Sequence, residues 1–224
     1  MSPSTRVDVV SASIRADILA GRELPGARLA LAPLVAKHEA SMGVVREALS
    51  RLVSQGLVNS EPQQGFRVSP ISVEDLMHLT EARCEIEVLV FRQSIEAGGL
   101  PWESELMSAH HTLDRTPQMA KDDPRRVADE WTVAHRAFHA ALLDACPNKR
   151  LRGIAGDLRD AAELYQRWSI PNDPNRDIRG EHKALLDYAL AGAVDKACEV
   201  LDMHIRHTSD VLLEHSPELG IAQS

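Results

Sequence analysis

Residues 41–68 read SMGVVREALSRLVSQGLVNSEPQQGFRV, and their pattern decides the architecture of the first third of the chain. Val45, Ala48, Leu49 and Leu52 recur at three- and four-residue spacing, which predicts an amphipathic helix over 41–55. Ser41 stands where a hydroxyl can cap the first free N–H groups, and Gly56 where a left-handed residue closes a helix. Leu57-Val58 and Phe66-Arg67-Val68 flank the polar turn Glu61-Pro62-Gln63-Gln64-Gly65, so two short strands in a hairpin are expected. Upstream, Val9, Val10, Ile14, Ile18 and Leu19 predict a helix over 7–20, ended by Gly21 and the Pro25-Gly26 turn. A second short helix fits 31–38, with Leu31, Leu34 and Val35 inward. Three helices followed by a hairpin form a winged helix-turn-helix, whose third helix enters the major groove of double-stranded DNA. Arg46, Ser50 and Arg51 face away from the buried stripe of that helix. They either read DNA or merely solvate a helix face.

The whole-chain averages conceal this head. The 224 residues carry a net charge of −8, which argues against a polybasic nucleic-acid coat. Residues 1–70 hold eight Lys/Arg against six Asp/Glu, whereas the remainder holds 17 against 27 and nine of the ten histidines. A mildly basic small domain joined to an acidic, His-rich larger one is a two-function layout. Aromatic residues make up 4% of the chain, and Ala and Leu abound, which favours helices over a β-sandwich. No apolar run approaches the roughly 20 residues that span a bilayer. The N-terminus lacks the apolar core of a signal peptide. Cys84, Cys146 and Cys198 are too scattered for a disulfide framework, so a cytoplasmic location is expected.

From Ser72 onward helices are expected near 72–97, 102–117, 123–145, 148–169, 176–191 and 194–215, punctuated by Gly98-Gly99, Pro117, Pro147, Pro171–Pro174 and Gly192. About six helices make an antiparallel bundle, so the chain is expected to be mainly α. The domains would be 1–70, the DNA-binding head, and 71–224, an all-helical effector-binding and dimerisation domain. Histidines occupy core phases in this bundle. His135 and His139 are four apart beside Trp131, Phe138 and Leu142. His182 shares a stripe with Ile178, Leu185 and Ala189, and His204 one with Ala197, Leu201 and Val211. A buried imidazole needs partners for both nitrogens, supplied either by ordinary hydrogen bonds or, for several converging rings, by a metal ion. His110, His111, His207 and His215 lie off these stripes and are expected in solvent. Arg83 is also inward, on a stripe of Leu76, Leu79, Ile86 and Val90. A buried guanidinium requires an anion, either Glu87 one turn on or a bound carboxylate. Tyr165 and Trp168 either line such a pocket or simply pack.

The head resembles the DNA-binding domain of GntR-type bacterial transcription regulators. The resemblance is carried by Pro25-Gly26, the specific core Val45-Arg46-Glu47-Ala48-Leu49, Gly56-Leu57-Val58 and Gly65-Phe66-Arg67-Val68. It implies that Arg46 contacts phosphate or bases, that Ser41 opens the recognition helix and that Gly65 forms the wing tip. Met42 stands where the family usually has Arg, and Gln64 at a wing position that is often basic; both positions, with Arg51, belong to the implied DNA contact. The remainder resembles the FadR-like effector domain, called FCD, through Glu81-Ala82-Arg83, Phe138-His139, Glu181-His182 and Met203-His204-Ile205. The resemblance implies a metal held by His139, His182, His204 and the residue at position 135. There the family has Asp and this chain has His. Four histidines would favour zinc, nickel or copper over manganese or magnesium, or the missing carboxylate would weaken the site. Arg83 and Tyr165 would then hold a carboxylate effector.

Three functions follow. The first is a homodimeric regulator on a palindromic operator, whose bundle binds a small organic acid at a zinc- or nickel-type metal. The second is a sensor in which the ion itself is the effector. The third is a metal-dependent hydrolase, which lacks a general-base carboxylate in phase with the histidines and leaves the tethered head unexplained. The chain is therefore expected not to be an enzyme.

Overall fold

The computed structural model describes residues 5–19, 21–123, 126–173 and 175–215, except for the side chains of residues 164, 166–168 and 170–172. The head comprises α1 (Arg6–Leu19), β1 (Arg28–Leu29), α2 (Leu31–His38), α3 (Met42–Ser54), β2 (Val58–Glu61) and β3 (Gly65–Val68). Its sheet is antiparallel in the order β1-β3-β2. The hairpin registers Val58 with Val68 and Glu61 with Gly65, and β1 adds the pairs Arg28–Arg67 and Leu29–Phe66. That third strand escaped the sequence pattern because two residues show no alternation.

The ends of α3 follow from local chemistry. The Val44 N–H donates to Ser41 Oγ at 3.3 Å, satisfying one otherwise free donor. At the other end Gly56 takes φ +73°. Its N–H donates to the Val53 carbonyl, and the Leu57 N–H to that of Leu52, which turns the chain from helix into β2. Gly65, at φ +94°, turns the wing into β3 where an L side chain would be strained. Ile14, Ile18, Val45, Leu49, Leu52, Leu57 and Val68 form a fully buried core between the three helices and the sheet.

The remainder is a helical bundle of α4 (Val73–Ala97), α5 (Leu100–Arg115), α6 (Asp129–Leu143), α7 (Lys149–Asn172), α8 (Ile178–Leu190) and α9 (Val194–Glu214). α4 packs against α6, α7 and α9, while α5 and α8 close the other side. Phe91, Leu106, Phe138, Leu142, Leu185, Leu201 and Ile205 form its core. Two expected boundaries are corrected. α5 begins at Leu100, because Pro101 is tolerated in a first turn whose N–H groups lack helical partners anyway. The helix expected over 123–145 begins only at Asp129. Before it the chain folds back on itself, with the Ala120 N–H on the Arg126 carbonyl at 2.8 Å and the Ala128 N–H on the Gln118 carbonyl at 2.9 Å. Asp123 precedes a proline, which disfavours helical backbone there. Among the described residues no helix is long and apolar enough to cross a membrane.

Head and bundle meet along α7. Arg15 of α1 is ion-paired with Glu163 and lies 3.5 Å from Asp160, which Arg136 of α6 also holds at 2.9 Å. Tyr165 is here too, and its expected place in an effector pocket is corrected. Its ring packs with the head's core, and its hydroxyl donates to Asp75 at 2.6 Å while accepting the Ser72 N–H at 3.4 Å. Burial and then Asp75 push its hydroxyl pKa up. The side chain of Trp168 lies outside the described residues. Tyr165→Phe should destabilise the protein by about 1–2 kcal/mol in urea unfolding, through loss of one partly buried hydrogen bond. The variant should bind added metal and acids as the parent does.

Candidate functional site

His135 and His139 sit one turn apart on the inner face of α6, as their four-residue spacing requires. His182 projects from α8 and His204 from α9, each from its helix's buried stripe. All four rings are buried, and the structure brings them together. One ligand atom from each lies within 4.8 Å of every other. His139 Nε2 and His182 Nε2 are 3.3 Å apart. That is close to the edge of a tetrahedron with metal–nitrogen bonds of about 2.0–2.1 Å. A modest contraction of the remaining pairs would complete such a site. The donor set therefore fits a borderline divalent ion.

The surroundings hold the rings in place. Trp131 stacks on His135 at a centroid distance of 4.6 Å, and Phe138 meets His139 and His182 edge-on. Burial drives the pKa values of His135, His139 and His182 well below the ordinary imidazole value, and positive neighbours add to it. Burial lowers that of His204 as well, against the pull of Glu181. These rings are thus neutral, with lone pairs free to bind a cation. His204 Nδ1 donates to Glu181 Oε2 at 2.6 Å, which fixes its tautomer and turns Nε2 towards the cluster. Arg176 clamps the same carboxylate through bonds of 2.8 and 2.7 Å and donates to the His204 carbonyl at 3.0 Å. Burial raises the Glu181 pKa, but the hydrogen bonds from His204 and Arg176 outweigh it and bring it down to about 2. Sequence reasoning missed this brace. Glu181 directly precedes His182, yet its role depends on α9, and Arg176 lies in a segment read only as punctuation.

The other candidates divide. Arg83 donates to Glu87 at 2.6 Å with both side chains buried, so its anion is internal. Of the two anions the sequence left open for it, the structure shows Glu87. His110 is not fully in solvent. It is half-buried, meets Phe138 edge-on at 5.5 Å, and with Trp131, His182 and Arg179 lines a cleft of about 320 Å³ between α5 and α8. His182 forms part of the cleft wall, which gives the imidazole cluster a face towards solvent. His111 and His207 are exposed, and His207 pairs with Asp173. His215 is half-buried and hydrogen-bonds the Val211 carbonyl.

On the head, Arg46 is exposed and has no acidic partner among the described residues. Arg51 is ion-paired with Asp8 of α1. Met42 and Gln64 are exposed, and Ser41 is engaged as the cap.

Residues 6–68 match the family described as bacterial regulatory proteins, gntR family, and residues 78–207 match the FCD domain. The chain belongs to the GntR family of regulators, FCD type. It is 38% identical over 200 residues to the HTH-type transcriptional regulator BphR of Paraburkholderia xenovorans LB400, covering 89% of this chain and 82% of that one. It is 29% identical over 197 residues to the HTH-type transcriptional repressor GlaR of Escherichia coli K12, covering 86% and 89%. E. coli McbR/YncC shares the fold with a TM-score of 0.74 at 20% identity, covering 96% of this chain and all of that one. A GntR regulator of Rhodococcus sp. RHA1 shares it with the same score at 22% identity, covering 94% and 99%. This GntR regulator is a DNA-binding transcription regulator and not an enzyme, with a mainly helical fold and a winged head.

The buried rings give a pH dependence with a definite sign. They are neutral in the fold, while in the unfolded chain they titrate near about 6.5. Below that value the unfolded state binds more protons, so stability is present above it and lost as pH falls. Thermal unfolding in excess chelator should show a midpoint that drops progressively from pH 7.5 to 5.5. A flat profile would count against four buried neutral imidazoles.

Proposed function

We propose that this regulator responds to a small organic acid bound at a divalent metal ion, zinc or nickel, held by His135, His139, His182 and His204. The observation that carries the reading is the convergence of four buried, neutral imidazoles, one of which, His182, lines a cleft that opens to solvent. A metal held there by all four imidazoles would act as a Lewis acid towards a carboxylate by expanding its coordination beyond four. His204 is braced for this by Glu181 and Arg176. The cleft, which His182 helps to line, gives a small acid a way to the cluster and supports the acid-receptor reading over a sensor of the ion alone, although Arg179 on its wall is already ion-paired with Asp114.

The head supplies the output. α3 would lie in the major groove with Arg46 as its uncompensated cation, and Ser41, Met42, Gln64 and Gly65 would lie along the contact. Two copies on a palindromic operator would place two such helices one turn of DNA apart. An effector can alter operator binding only by binding the DNA-competent and incompetent arrangements with different affinity. α7 is positioned to connect the two, since it contacts both the interior of the bundle and α1.

Arg46→Ala should weaken binding to the operator at least tenfold and lower the salt slope by about one per head. Unchanged binding in an electrophoretic or fluorescence titration would remove Arg46 from the interface. For the metal, protein purified without chelators should contain close to one zinc or nickel per chain by elemental analysis. His139→Ala and His204→Ala should each abolish the rise in melting temperature caused by added zinc. A metal-free protein whose melting temperature ignores zinc and nickel would refute the site.

A further inference from the structure

Most side chains of α3 are already engaged within the protein. Val45, Ala48, Leu49 and Leu52 are buried in the head's core, and Val44 and Val53 pack against it. Ser41 is spent as the cap. The Ser50 hydroxyl donates to the Arg46 carbonyl at 2.9 Å, and that of Ser54 to the Arg51 carbonyl at 2.7 Å. Arg51 is ion-paired with Asp8 and reaches Glu47 at 3.5 Å. Among the described residues this leaves the side chains of Met42 and Arg46, one turn apart on the same side of the helix. Arg46 is the uncommitted donor of α3, and Met42, 49% exposed, is its uncommitted apolar surface. Gly43 adds a second observation. A Cβ there would meet only Ser41 Oγ, at 3.9 Å, so the fold does not require a glycine, and a glycine weakens the helix it sits in. What the missing side chain provides is room for a close approach to the first turn of α3 from outside.

That turn is the part of a helix-turn-helix that meets base edges in the major groove. The edges present hydrogen-bonding groups and one apolar group, the 5-methyl of thymine. Methionine has no donor and only a weak acceptor. Set against a phosphate or a polar base edge it would strip water from that group and return nothing. Set against a methyl it removes apolar surface from water on both sides. We propose that Met42 is a specificity-determining residue of the operator contact, its side chain covering the 5-methyl group of a thymine, with Gly43 letting the first turn of α3 come close enough to do so. This rests on the reading of α3 as the helix in the major groove and deepens it by naming the base that one of its residues selects.

The probe is a duplex selected by the full-length protein from a randomised library. Each thymine of the selected duplex is then replaced in turn by uracil, which keeps every hydrogen-bonding group of thymine and removes only the methyl. In fluorescence titrations at one fixed salt concentration, at least one replacement should weaken binding by the parent about fourfold, the contribution of one buried methyl. Met42→Ala should bind the thymine duplex more weakly and respond to that same replacement by no more than about 1.5-fold, so that the two changes are not additive. Met42→Leu, still apolar, should keep most of the preference. Met42→Ala should melt at the parent's temperature, because Met42 lies on the surface of the head. Equal binding of the thymine and uracil duplexes by the parent at every position overturns the proposal, and so does a uracil penalty that Met42→Ala retains in full. Arg46→Ala distinguishes the two levels of failure. If it weakens binding to the selected duplex while neither uracil nor Met42→Ala does, α3 stays in the groove and Met42 is not a reader. If neither Arg46→Ala nor Met42→Ala changes binding, α3 is not the contacting helix and both readings fall.

Discussion

The desolvation of four imidazoles in the middle of a helical bundle is the constraint around which the rest is arranged. An imidazole kept from water can hold its proton only at a large cost, so burial makes each ring neutral. Each neutral ring brings one N–H donor and one lone pair, and because His204 spends its N–H on Glu181 the cluster is left with more lone pairs than donors. Ordinary hydrogen bonding meets this only in part, as at His139 and His182, where one nitrogen would have to donate to the other. The flanking groups make sense as responses. Trp131 and Phe138 fill the apolar sides of the rings, and Glu181 takes the outer proton of His204. Arg176 then makes Glu181 affordable inside the fold by matching its charge with two directed bonds.

α7 ties this interior to the head. Asp160 on it meets Arg15 of α1 and Arg136 of α6. One turn further, Glu163 completes the Arg15 contact despite burial that pushes its carboxyl pKa up. Tyr165 then reaches Asp75 at the start of α4. These ion pairs stand beside an apolar seam, in which Leu76 of α4, Tyr165 of α7 and Leu212 of α9 join the head's own core. A helix is stiff over such a distance, so a shift of α7 within the bundle is carried to both kinds of contact with the head.

Much of this was legible in the sequence, for identifiable reasons. The fold of α3 was readable because stripe, cap and C-terminal glycine agree within fifteen residues. The four histidines were readable as a set because helical phase alone places each inward, and phase survives any error in helix ends. The pairing of Arg83 was open between Glu87 and a ligand, because spacing permits contact without requiring it. Tyr165 was misplaced because an aromatic at a core phase does not reveal which core it joins; here α7 serves two. The fold-back before α6 was lost because its hydrogen bonds link residues six and ten apart, outside any helical or strand period.

The same accounting of partners changes how the head must work. Its net positive charge is small, and most of it is already spoken for within the protein. Arg15 is held by α7, Arg22 and Lys37 by Asp17, Arg51 by Asp8, and Arg67 by Glu61. Arg6 donates to backbone carbonyls of His38 and Glu39. Among the described residues this leaves Arg6, Arg28 on β1 and Arg46 on α3 as head cations without an acidic partner, of which Arg6 is held by those carbonyls. Non-specific attraction to DNA grows with the number of phosphates neutralised, so a single head with three such cations attracts DNA weakly. Specific contact must then come from a few directed interactions repeated by symmetry. Arg15 has a particular place in that balance. Docked on α7 it is withheld from the head's surface, so any rearrangement of the junction changes both the orientation of the head and the charge it can present to DNA.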